Sequence, residues 1–122
     1  MGDFKNLAVY QKAFSLAMNI FELTKYFPVE EKFSLISQIR KSSRSVCANI
    51  AEAYRKRQYP AHFRSKISDA DMENSETQVW LNFSLACSYI SNQNFEDLLN
   101  KSLEIGRLLS HMIQNPTKYK TT

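Results

Sequence analysis

The chain has 122 residues, 43% of them hydrophobic, and carries 16 basic against 12 acidic side chains for a net charge of +4. That length makes one domain able to bury roughly two-thirds of its unfolded surface, so a core needs no disulfide or metal staple. Two glycines and three prolines allow few turns, which excludes a sandwich or barrel, where a turn falls every ~8 to 12 residues.

The opening MGDFKNLAVYQK has no basic segment followed by an apolar one, and neither Asn6 nor Leu7 is the Ser or Thr that a myristoylation pattern needs after Gly2. No apolar run approaches the ~18 residues of a membrane span. A soluble, cytoplasmic protein with no membrane partner is the expectation.

The first predicted helix covers residues 7–26, where Tyr10, Ala13, Phe14, Ala17, Ile20, Phe21 and Thr24 recur at spacings of three and four. Pro28 disfavours a helical Phe27, and Glu30 and Glu31 then open a second helix, 30–57, at the end where the helix dipole favours negative charge. On that helix Leu35, Ile39, Val46, Ile50 and Ala53 form an apolar sector. Arg40, Lys41 and Arg44 lie opposite, and Gln38, Ser42, Ser45, Asn49 and Glu52 make a polar strip between the two. The strip is either solvated or a track along which another helix hydrogen-bonds.

Pro60 marks a turn at 58–60 and suits a first helical position. The third predicted helix, 61–90, has Phe63, Ile67, Ala70, Thr77, Leu81 and Leu85 as its core stripe, while the adjoining row runs from Asp69, Glu73 and Glu76 into Trp80, Phe83 and Cys87. In an antiparallel hairpin about Gln58, Arg44 and Glu73 stand at one height and Arg40 and Glu76 at another. Ion pairs of Arg40 and Arg44 with Glu73 and Glu76 are therefore expected, within the hairpin or across a subunit boundary; separate solvated charges are the alternative. Trp80 is either a core anchor or an interface anchor.

Ser91 to Asn94 reads as a loop, 95–114 as the last helix with Leu98, Leu99, Ser102, Ile105, Leu109, Met112 and Ile113 inward, and the tail after Pro116 as frayed. Four long helices with short connections make an all-α, up-down-up-down four-helix bundle in a single domain.

Catalytic patterns are missing. Tyr59 and Leu108 occupy the places three before His62 and His111, where a di-iron bundle needs glutamate. Cys47 and Cys87 sit in apolar helical patterns without a basic neighbour, and Gly2 and Gly106 cannot make a phosphate loop. No metal, no cofactor and no enzymatic activity are expected.

Residues 27–53, FPVEEKFSLISQIRKSSRSVCANIAEA, resemble the signature of the four-helix-bundle proteins encoded in intervening sequences of bacterial large-subunit ribosomal RNA genes: Phe-Pro, Glu, Leu, Gln-Ile-Arg, Ser and Asn-Ile-Ala-Glu. Residues 70–81, ADMENSETQVWL, resemble that family's third-helix pattern. One departure is Ala53, where the family usually has glycine. The resemblance implies a ring oligomer, typically a homopentamer, with no established enzymatic activity. It extends to the accessory variability protein of diversity-generating retroelements, which assembles with a reverse transcriptase and nucleic acid.

Eight of the basic residues fall between Arg40 and Lys66, against Glu52 alone. Arg55, Lys56, Arg57, Arg64 and Lys66 cluster at the second turn, interleaved with Tyr54, Tyr59, His62 and Phe63 and without a sequence-near acidic partner for the cluster. Phosphate contacts plus stacking rings are the chemistry of non-specific RNA or DNA binding. The other reading is a structural or adaptor oligomer with a protein partner and no nucleic acid.

Overall fold

The computed structural model describes residues 2–120. Four helices carry the chain: α1 (Ala8–Thr24), α2 (Leu35–Arg55), α3 (Pro60–Ala86) and α4 (Asn92–Gln114). Short 3-10 turns lie at Phe4–Asn6, Val29–Glu31 and Pro116–Tyr119, and no strand occurs among the described residues. Each helix packs on the next in sequence and α4 closes against α1, which is the expected four-helix bundle.

Helix ends differ from the sequence expectation because local side-chain and backbone hydrogen bonds set them. α2 begins at Leu35 rather than at residue 30: the Glu31 carboxylate accepts from Ser34 Oγ at 2.6 Å and from the Leu35 N–H at 3.4 Å, leaving Glu30 and Glu31 in the 3-10 turn. α4 begins earlier than residue 95, since Ser91 Oγ accepts from the Asn94 N–H at 3.0 Å and turns the expected loop into a cap. α3 stops at Ala86 instead of running to residue 90. Ser88 adopts φ 62 there, with Tyr89 N–H bonded to Ser84 O and Ser88 N–H to Leu85 O, both at 2.9 Å. That is a Schellman ending, with serine where glycine is usual.

Ile20, Ile39, Ile50, Phe63, Ile67, Leu81, Ile105 and Leu109 form the fully buried centre. On α1 the inward face is turned slightly from the expected one: Val9 and Leu16 are buried while Phe14 is 50% exposed, stacked on Tyr10 with centroids 6.1 Å apart. The polar strip of α2 is partly interior. Thr77 donates to Ser42 Oγ at 2.8 Å between α2 and α3, and a second bridge joins α3 to α4 through Asn74, Gln78 and Ser102 at 2.9 Å per bond. Among the described residues no buried side-chain nitrogen or oxygen lacks a partner.

The tail is not frayed over its described length. Tyr119 stacks on buried Phe63 at 5.6 Å, and Gln58 Nε2 donates to the Lys120 carbonyl. Apolar burial of Phe63 needs that cover, so the last 3-10 turn folds back on the α2–α3 end.

Candidate nucleic-acid interface

The basic cluster forms where α2 ends and α3 begins. Arg55 is the last residue of α2, Lys56 its C-cap, and Arg57 lies in the turn that Pro60 closes. Lysine and arginine at this end answer the negative pole of the α2 dipole. Arg55 and Lys56 are exposed and have no side-chain partner among the described residues.

Structural contacts hold the other three cations. Arg57 folds back over Tyr54, its guanidinium carbon 4.1 Å from the ring centroid and Nη1 donating to Tyr54 O at 2.9 Å. Arg64 Nε donates to Ile113 O at 3.3 Å, in the last turn of α4. Lys66 pairs with Glu52 at 3.1 Å, so the one acidic residue of the window is a partner for the cluster after all. One turn of α2 and the α3 crossing bring those two together, which linear spacing hides.

Of the interleaved rings, Tyr54 and Phe63 are 4% and 0% exposed and belong to the core. Tyr59 is 59% exposed, with His62 edge-on at 6.1 Å, and these two rings are available to a base. Two further cations reach this end unannounced: Lys5, on the N-terminal turn, and Lys120, held by Gln58. Both come from segments distant in sequence, and only the docking of Phe4–Asn6 and of the tail reveals them.

Arg40 and Arg44 are not brought to Glu73 and Glu76 within the chain. Arg40 Nε donates to Thr24 Oγ1 at 2.9 Å and Nη2 to Phe21 O at 3.4 Å, capping the carbonyl end of α1. Both guanidiniums lie over the Phe21 ring, at 4.7 and 5.7 Å. Burial, then the neighbouring Glu76 charge, raises the Glu73 carboxyl above its ordinary range, and Lys41 opposes the shift from α2. Glu76 accepts from Trp80 Nε1 at 3.3 Å, and Trp80 is half-buried, its ring 5.9 Å from that of exposed Phe83. Among the described residues no His, Cys, Asp and Glu cluster could hold a metal, and no helix is long and apolar enough to cross a membrane.

Residues 5–111 match the 23S rRNA-intervening sequence protein family. The chain belongs to that family. A similar solved structure is a protein of unknown function from the S23 ribosomal protein family of Bacteroides thetaiotaomicron VPI-5482, with 35% sequence identity and a TM-score of 0.80. The similarity covers 88% of this chain and 96% of that one. No curated protein matches.

Proposed function

We propose that the chain is a non-enzymatic, cytoplasmic oligomer that binds RNA or DNA without strong sequence preference through its basic end. The observation that carries this reading is the pair Arg55 and Lys56, exposed and uncommitted beside the exposed rings of Tyr59 and His62. Phosphates pair with such cations by releasing counterions, and the rings stack on any base.

Assembly into a ring, a pentamer by family resemblance, multiplies that end. On α3, Met72, Val79 and Phe83 are 64%, 45% and 53% exposed beside the acidic Glu73 and Glu76. On α2, Arg40, Lys41 and Arg44 flank a shallow surface with Phe33 and Ile36. An acidic apolar stripe and a basic apolar shelf on one molecule are complementary, and contact between unlike surfaces gives a ring where the rotation between subunits closes. Across such a boundary Arg44 and Glu73 become partners.

A second reading is an adaptor with a protein partner, a reverse transcriptase being one candidate by resemblance. It rests on Tyr26, Val29 and Phe33, which are 86%, 84% and 88% exposed in the α1–α2 connection. Anisotropy titration of labelled mixed-sequence RNA and duplex DNA across a salt series separates the two. Tight binding that falls steeply with salt, and is lost in Arg55→Glu/Lys56→Glu with helicity unchanged, supports the first. Absence of binding by the intact oligomer at low salt overturns it in favour of the adaptor.

A further inference from the structure

A cavity of about 620 Å³ opens where the N-terminal turn lies over the end of α2. Asp3, Phe4 and Lys5 form one wall, and Tyr54, Arg55 and Arg57 the other. That volume lies within the roughly 300–1,000 Å³ of small-ligand sites. Three cations share it with one carboxylate, and Asp3 Oδ1 already accepts from the Lys5 N–H at 3.0 Å.

Its planar groups are held in place. Tyr54 is a buried floor, and Arg57 is fixed above it by the 2.9 Å bond to the Tyr54 carbonyl. Phe4 is braced edge-on by Tyr10, with centroids 5.0 Å apart. Fixed flat surfaces next to two exposed ammonium and guanidinium groups match a ligand that is part anion, part planar ring. Inorganic anions use only half of that chemistry, and an aliphatic carboxylate leaves the flat surfaces unused.

We propose that this cavity takes one unpaired nucleotide of a nucleic-acid strand, its phosphate between Lys5 and Arg55 and its base against Arg57 and Phe4. The inference deepens the basic-end reading and rests on it: the remaining surface cations serve flanking phosphates, while the cavity reads whether a base is free. A duplex keeps its bases stacked and cannot present one, whereas single strands splay bases onto aromatic rings and guanidinium planes.

The test is anisotropy binding of the full chain to a labelled single-stranded RNA and to a blunt RNA duplex at one salt concentration, with adenosine 5′-monophosphate and inorganic phosphate as competitors. The expected result is about tenfold tighter binding of the single strand, the size of one stacking contact. Phe4→Ala, which removes a flat surface and no charge, should abolish that preference and leave duplex binding in place, whereas Lys5→Glu should weaken the single strand more than the duplex. The mononucleotide should compete where inorganic phosphate at the same concentration does not. Equal affinity for the two RNAs, or a preference untouched by Phe4→Ala, overturns the cavity proposal while the basic end still stands. Failure of both RNAs to bind at low salt overturns both readings.

Discussion

Tyr89 donates its hydroxyl to Glu31 Oε2 at 2.8 Å, tying the segment after α3 to the turn that starts α2. Hydrogen bonds from Ser34 and then Tyr89 hold the Glu31 carboxyl below its ordinary value of 4.5. The same bond, with burial and the Glu31 charge, pushes the Tyr89 hydroxyl up to about 12. A depressed carboxyl gives stability that is present above its unfolded value and lost as pH falls through the folded one. A raised phenol gives stability that is present below 10.0 and lost as pH rises toward 12. The corner should therefore loosen below the ordinary carboxylate range and again above about 10. In Tyr89→Phe, an NMR titration should show Glu31 shifted up toward its ordinary value; an unchanged titration contradicts the bond.

The two thiols should behave differently. Burial pushes Cys47 up to about 11, while Cys87 is exposed at the end of α3. At neutral pH a thiol reagent should label one cysteine per chain in the native state and both after denaturation. Rapid native labelling of Cys47 would contradict its burial between α1 and α2.

The Asn74–Ser102 bridge should be a coupled pair. Asn74 is 2% exposed and Ser102 0%, and each bonds the other's residue at 2.9 Å. Asn74→Ala leaves the buried Ser102 hydroxyl, which still accepts from Gln78, without an acceptor of its own, and should cost about 2 kcal/mol in urea unfolding. Adding Ser102→Ala should cost less than the sum of the single changes, because the hydroxyl that lost its acceptor leaves too. Additive losses would mean the two do not interact.

Ser88 bears the strain of a left-handed φ of 62. Ser88→Gly should raise stability by about 1 kcal/mol, since glycine meets no Cβ penalty at this helix ending. A decrease in the urea midpoint would show that the serine side chain itself is needed.

Much of the fold was legible because helical periodicity survives burial: Leu35, Ile39, Val46, Ile50 and Ala53 form one inward face as the wheel required. Helix ends were less so. Glu31 and Ser91 look like first-turn and loop residues by type, yet each becomes a cap through a single side-chain bond. The candidate interface was legible only in part. Arg55 and Lys56 are where local sequence puts them, but Lys66 meets Glu52, Arg40 meets Thr24 and Tyr54 turns inward, because partner choice depends on which helices abut. Lys5 gave no signal at all, since its place at this end comes from the docking of the N-terminal turn.

Glu73→Lys tests the assembly. Its carboxylate adjoins an exposed apolar stripe and bonds no arginine within the chain among the described residues. The expected outcome by light scattering is a smaller particle with helicity retained, and Arg44→Glu added to it should restore size in part. Unchanged mass and stability would remove Arg44 and Glu73 from the interface.

The most direct measurement is the slope of log affinity for single-stranded RNA against log salt for the intact chain, Arg55→Gln/Lys56→Gln and Arg64→Gln/Lys66→Gln. Each lost phosphate contact should lower the slope by about 0.7 per chain engaged. Arg55 and Lys56 are uncommitted, whereas Arg64 and Lys66 serve Ile113 and Glu52. A flattened slope in the first variant and a near-native slope in the second is the expected result. Equal slopes in all three proteins, or no binding by the intact chain at low salt, would contradict a nucleic-acid interface at this end of the bundle.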